Sequence, residues 1–413
     1  MTERHLDALA VNCLGRLCDD IGARPVGSKG NLEATHCLFT WFSRNGFDTE
    51  ERWFGCFDWT SEGAELQLGF ESFAMRPGPY SFPASLQAPL VYASTLEGLR
   101  RLRTPGAIVL LHGDLARAPL LPRNFPFLRI DEHIQVIEAL EEGGFGAVLA
   151  ATAPNDSDPQ GFHLIEDGDF HIPHGQLPEA DGKRILEYAD GRLASFTVRT
   201  QRRPSRGCNV VATKGTPAHP RAVIMAHVDS AHGSPGAADN ASGVCAMMML
   251  AESIAAPIDG LKTELVAMNG EDHYASPGEV LYLDDNRGRL GDVMLGVNID
   301  GLGVGEGADE FSLYGCPEAL AEAVRYSLEG EGMVEGPSWM EGDHSLFVQS
   351  SVPAVALTSS DRMAVAKVSH SERDVPDVVD TGRLVAAARG LRSMLDLLPD
   401  LAGDAPPRTT ASY

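Results

Sequence analysis

The chain has 413 residues, with 33 Lys and Arg against 58 Asp and Glu and a formal charge of −25. That acidity argues against a nucleic-acid backbone or an anionic membrane as partner, and a solvated acidic surface is its plain explanation. The length suits roughly two to three domains with a full hydrophobic core, and no apolar run approaches a membrane span.

The N-terminal stretch MTERHLDALAVNCLGRL is charged and amphipathic and lacks the basic start and apolar centre of a secretory signal, so a cytoplasmic protein is expected. The seven cysteines, at positions 13, 18, 37, 56, 208, 245 and 316, are scattered and odd in number. Reduced thiols are expected, with neither a disulfide framework nor a cysteine-zinc site.

Apolar spacing predicts a helix over Leu6 to Asp19, a turn-rich link ARPVGSKGN, and a second helix over Leu32 to Asn45. A strand is expected from Phe47 to Cys56, followed to about Gln87 by Gly, Pro and Ser-rich sequence with short strands. GAIVLLHGD, DEHIQVIEALEEGG and FGAVLAATA then read as strand, helix and strand, with a parallel pair. His171 and His174 flank Pro173 with no carboxylate at a strand end, which favours structural or surface roles over a metal pair. A helix of about ten residues starts at Glu179. SFTVRT and NVVAT read as separate strands around a basic, Pro-containing link, TQRRPSRG, which marks a domain boundary near 195 to 205.

Four strand ends downstream carry the chemistry. The run Ala222 to Ala226 is followed by His227 and Asp229, which share one side of an extended backbone, so that Asp229 can orient the imidazole. After a turn-rich loop, Asp239 precedes Asn240-Ala241-Ser242-Gly243 at the start of a helix, near its positive end. Thr263 to Met268 leads through Asn269-Gly270 into Glu271 and Asp272. Val293 to Asp300 ends in a carboxylate, an expensive place for a charge unless it is paired or bound to metal. GLGVGEG follows without a helical pattern, so a dinucleotide loop is disfavoured. Ser351 to Ser359 is a further strand, preceded by Trp339, Asp343 and His344, and His370 lies just before a last helix, Thr381 to Leu398.

Open α/β sheets place ligand sites outside the carboxyl ends of their strands. His227, Glu271, Asp272 and Asp300 can therefore meet Asp239 and His370 in one crevice. Two imidazoles and three carboxylates suit two divalent ions about 3.5 to 4 Å apart with one carboxylate bridging, which leaves one carboxylate free to act as a base.

These residues, in this order, resemble the co-catalytic dizinc exopeptidases that include leucyl aminopeptidase-like enzymes, glutamate carboxypeptidase and the transferrin-receptor relatives. The resemblance covers about Asn209 to Leu398, with a further match at ARPVGSKGN. It implies an α/β fold, a doubly wound mixed and mostly parallel sheet flanked by helices, formed by residues 1–56 and 201–413. Residues 57–200 would be an inserted smaller α/β or β-rich domain of protease-associated type. It further implies one metal on His227, Asp239 and Asp300 and a second on Asp239, Asp272 and His370, both zinc by family. Asp229 would orient His227, Glu271 would be the general base, and His344, His273, Tyr274 and Trp339 are pocket candidates.

The sequence departs from the family at Asp272, where Glu is common, at Ala238, where many members carry Asp, at HYASPGE in place of a Gly-Ser element, and at Ser369, commonly aromatic. The expected activity is a zinc-dependent metallopeptidase of aminopeptidase type acting on peptide or aminoacyl substrates, with room for a homo-oligomer. The alternatives are a carboxypeptidase, another amidohydrolase, a single-zinc glutaminyl cyclase, or a catalytically silent receptor-like relative. A serine hydrolase is disfavoured because Ser242 lacks a Gly-x-Ser-x-Gly elbow.

Overall fold

The computed structural model describes residues 3–125, 128–154, 161–187, 191–272, 276–340 and 342–401. Two compact units emerge: residues 1–55, 206–272 and 276–413 make the first, and the second centres on 56–205.

The first unit opens with α1 (Glu3–Leu14), which runs into a wider turn at Gly15–Ile21, and α2 (Lys29–Arg44), capped by the Ser28 side chain accepting from the Asn31 N–H. β1 (Asp48–Leu68) extends well past the Cys56 limit read from the sequence. The Gly and Ser residues in it sit where the strand alternates between half-buried and exposed faces, so local composition alone reads as turns.

In the second unit come β2 (Glu71–Pro77), β3 (Ala84–Ala93), α3 (Leu96–Arg101), β4 (Ile108–Leu111), α4 (Asp131–Glu142), β5 (Ala147–Thr152), β6 (His174–Pro178), α5 (Glu179–Leu186) and the first part of β7 (Leu193–Lys214), whose residues from 206 on belong to the first unit. Their order across the sheet is β1-β2-β6-β5-β4-β3-β7. The expected parallel pair is β4 and β5, every residue of which is buried, as a strand covered on both faces requires. The basic link TQRRPSRG is no loop: it lies within β7, and SFTVRT and NVVAT are parts of that one strand. Alternating exposure lets polar side chains occupy a strand's outer positions, which hides the continuity from a reading of composition.

The first unit resumes with β8 (Arg221–His227), α6 (Ser242–Ser253), β9 (Lys262–Met268), α7 (Pro277–Asp285), β10 (Val293–Ile299), β11 (Asp309–Tyr314) and α8 (Glu318–Glu329). It ends with β12 (Val334–Glu335), α9 (Ser345–Gln349), β13 (Ala354–Ser359), α10 (Arg362–Val368) and α11 (Thr381–Leu401). Strand order is β7-β9-β8-β10-β13-β11-β12, with β9, β8, β10 and β13 parallel and β7 and β11 antiparallel to their neighbours β9 and β13. Both faces are covered. Leu295, Val297 and Ile299 of β10 join the core beneath α1, α6, α8 and α11, while Gly296 between them faces the Phe347 ring of α9. The chain leaves β8 for β9 on one side and reaches β10 on the other, so the strand order reverses at β8. Such a reversal opens a crevice beyond the strand ends.

The expectation of seven reduced thiols is corrected. Cys13 of α1 and Cys245 of α6 form a disulfide with their Cα atoms 5.8 Å apart, leaving Cys18, Cys37, Cys56, Cys208 and Cys316 free. The two partners are 232 residues apart in sequence and meet only because α1 packs on α6, so no local spacing reveals them.

Candidate metal centre

His227 is the last residue of β8 and only 1 % exposed. Its Nδ1 lies 3.1 Å from the backbone carbonyl oxygen of Asp229, a contact in which the ring N–H donates and Nε2 keeps its lone pair. The Asp229 carboxylate stands 3.8 Å from the ring. It accepts instead from the backbone N–H of Gly270 at 2.8 Å and of Asp272 at 3.1 Å. Asp229 thus orients His227 through its main chain, and its side chain holds the turn that carries the acidic pair. Two-residue spacing in a strand puts both residues on one side but does not say which oxygen turns toward the ring.

Asp239 lies in an irregular turn, Ala237–Ala241, with a backbone outside the helical region, and α6 starts at Ser242. Its Oδ1 is 3.1 Å from His227 Nε2 and its Oδ2 is 3.1 Å from His370 Nε2. Asn240 secures the turn: its side-chain amide donates to the Ile299 carbonyl and its Oδ1 accepts from the Gly243 N–H, which ties the start of α6 to the end of β10. Asp300 follows directly, with Oδ2 3.8 Å from His227 Nε2.

The acidic pair follows β9. Its approach is fixed by a buried amide cluster that the sequence reading passed over. Asn269 donates to Thr35 Oγ1 and to the Cys208 carbonyl, its backbone N–H donates to Asn209 Oδ1, and its Oδ1 accepts from Asn31. Asn31 closes the ARPVGSKGN stretch, the one signal that could have found it. Gly270, at φ 103°, makes the turn, and a Cβ there would meet Pro277 at 2.9 Å. Asp272 Oδ1 then reaches His370 Nε2 at 2.8 Å, and Glu271 Oε2 stands 3.9 Å from His227 Nε2.

Two groups of ligand atoms result, His227 with Asp239 and Asp300, and Asp239 with Asp272 and His370, each within 4.8 Å of one another. They are the only such groups among the described residues. The donor set suits divalent ions, since imidazole and carboxylate together favour borderline and hard metals. His227 Nε2 and Asp272 Oδ2 are buried and make no hydrogen bond. Burial pushes Glu271 well above the ordinary carboxylate range, with Asp272, Asp300 and Asp343 adding to the shift and His227 opposing it. Crowding four carboxylates around the buried His227 and the exposed His370 is costly without a compensating cation, so these residues fit bound metal.

Behind the ligands lie two more buried acids, Asp343, pushed up to about 7 by burial, and Glu279, raised by burial and by Asp343 and Glu271. Among the pocket candidates, His344 is held by packing. It is fully buried at the start of α9, its Nε2 2.9 Å from the Trp339 carbonyl and its ring packed between Tyr314 and Trp339. An imidazole beside two aromatic rings is absorbed by packing, which a one-dimensional reading cannot foresee. Trp339 is half-buried. His273 and Tyr274 lie outside the described residues. His174 is buried in the second unit against Phe170, in keeping with a structural role.

The chain overlays the solved aminopeptidase from Aneurinibacillus sp. strain AM-1 with a TM-score of 0.72 and 18 % identity, covering 95 % of this chain and 93 % of that one. BSAP, a zinc aminopeptidase from Bacillus subtilis, matches with a TM-score of 0.70 and 18 % identity over 94 % of each chain. These likenesses establish the fold. A curated relative, the probable lipoprotein aminopeptidase LpqL of Mycobacterium tuberculosis, is 25 % identical over 238 residues, 55 % of this chain and 44 % of that protein. The match therefore spans less than half of the relative's length. Residues 209–395 match the model of Peptidase family M28. That segment holds all five candidate ligands and Glu271.

Proposed function

We propose that this protein is a metal-dependent exopeptidase, an aminopeptidase that binds two divalent ions, zinc in the first instance. The observation that carries the reading is Asp239, whose two carboxylate oxygens each face a different imidazole at 3.1 Å. A carboxylate so placed serves two ions at once. His227, Asp239 and Asp300 would hold one ion, and Asp239, Asp272 and His370 the other.

Bound there, the metal would supply Lewis-acid polarisation of a scissile carbonyl and a more acidic water. The protein supplies the rest. Glu271, 3.9 Å from His227 Nε2 and pushed up by burial above the ordinary carboxylate range, takes the proton of the attacking water and delivers it to the leaving amine. Asp229 holds the backbone of the Gly270 to Asp272 turn, so that Glu271 and Asp272 project from a fixed frame. Asp272 Oδ1 lies 2.8 Å from His370 Nε2, which supports its role as a ligand beside His370.

The test is metal content together with a substrate pair. Purified protein should carry about two divalent ions per chain, and removing them with a chelator should abolish hydrolysis of aminoacyl substrates. A peptide with a free amino terminus should be cleaved and its N-acetylated counterpart left intact. Activity that survives complete metal removal would refute the reading, and cleavage of the acetylated peptide from its carboxyl end would replace aminopeptidase with carboxypeptidase.

A further inference from the structure

We propose that Asp374 is a positioning residue that couples the two halves of the metal centre, setting where the bridging Asp239 stands relative to His370. The inference rests on the two-metal reading above.

Asp374 is fully buried and lies four residues after His370. Its carboxylate accepts from the backbone N–H of Ala238 at 2.6 Å and of Asp239 at 3.1 Å, and its carbonyl accepts from the N–H of Ala237 at 3.2 Å. Three successive N–H groups of the segment that presents Asp239 thus converge on one residue of the segment that presents His370. A turn in which the Asp374 N–H donates to the Ser371 carbonyl at 3.1 Å keeps that second segment tight.

The other side of the same segment is held by Arg24, also fully buried. Its guanidinium donates to the carbonyls of Val228, Leu17, Gly22, Pro235 and Gly236, and its backbone N–H donates to Ser230 Oγ. The link between His227 and Asp239 therefore has its carbonyls gathered on Arg24 and its last N–H groups gathered on Asp374. The segment's own backbone bonds are wide-turn ones, the Ala241 N–H donating to the Gly236 carbonyl at 2.9 Å and the Ser242 N–H to the Ala237 carbonyl, and they leave the N–H groups of Ala237, Ala238 and Asp239 to Asp374.

The consequence differs between the two sites. His227 and Asp300 stand at the ends of β8 and β10, outside the segments that Asp374 joins. The site of Asp239, Asp272 and His370 takes two of its three ligands from the segments that Asp374 joins. Asp374→Asn keeps the shape but sets an amide N–H₂ where an N–H needs an acceptor.

The experiment is a zinc titration of metal-free protein in competition with a chelator, on the wild type, Asp374→Asn, Asp374→Glu and a control, Asp377→Asn, which changes an exposed carboxylate three residues on. Asp374→Asn should weaken one of the two binding steps about 10- to 100-fold, the usual consequence of losing a ligand's supporting partner, and leave the other within a few-fold. Saturating zinc should restore kcat with KM unchanged. Asp374→Glu keeps both acceptor oxygens and should show the same selective loss to a smaller degree, which serves if the Asn variant does not fold. Asp377→Asn should bind as the wild type does. Unchanged affinities in the Asp374 variants, or equal weakening of both steps, would overturn the proposal. A wild type that takes up only one zinc ion would overturn the two-metal reading and this inference with it.

Discussion

At the residue scale the informative group is Glu271, which coordinates nothing in either ligand set yet stands 3.9 Å from His227 Nε2. Glu271→Gln preserves size and removes the proton-accepting oxygen. Metal uptake should be unchanged while kcat falls by roughly 10² to 10⁴-fold, the span of general acid–base catalysis. Atomic absorption on the same samples used for kinetics checks both halves, and unchanged turnover would remove Glu271 as the base. Asp229 shows how far such a residue can be read in advance. Its partnership with His227 follows from strand spacing, but the use of its carboxylate on the Gly270 and Asp272 N–H groups depends on β9 lying beside β8.

At the element scale, the start of α6 is pressed against the end of β10. A Cβ on Gly243 would stand 2.4 Å from the Ile299 carbonyl oxygen and 2.5 Å from Asn240 Oδ1. The first of these is backbone, and it immediately precedes Asp300. Gly243→Ala should therefore lower stability by about 1 to 3 kcal/mol, the cost of forced overpacking, and weaken metal binding along with it. Gly291→Ala makes the contrast, since a Cβ there meets nothing within 4 Å. It should stay within about 0.5 kcal/mol of the wild type. Calorimetric unfolding of the metal-free proteins compares the two, and equal midpoints would contradict the packing argument.

At the scale of the whole molecule, stability should depend on pH through a residue far from catalysis in sequence. His174, 3 % exposed in the second unit, is pushed down to about 4 by burial, with backbone hydrogen bonds partly opposing the shift. The unfolded chain takes up this proton near the ordinary value of 6.5, whereas the folded chain resists it until about 4. Between those values the unfolded state holds more protons, so stability falls as the pH falls. The contribution is fully present above pH 6.5 and is lost as the pH drops through about 4, a change on the order of 3 kcal/mol. The His174 ring resonances should keep their neutral positions at pH 5.5, and a titration centred near 6.5 would refute this.

What the sequence determined by itself is the set of candidate ligands and the parallel strands beside them. His227, Asp272 and Asp300 follow apolar runs, a charge beside such a run needs a partner, and local hydropathy records both facts in one dimension. The tertiary structure alone decided the supports: the Asn31, Asn209 and Asn269 amides, the Arg24 and Asp374 brace, the Cys13–Cys245 link, and the burial of His344 between Tyr314 and Trp339. Each joins segments distant in sequence through a hydrogen bond, a disulfide or a packed ring. Short polar residues such as asparagine are as common in loops as in cores, so their composition carries no mark of the contact until the chain has folded.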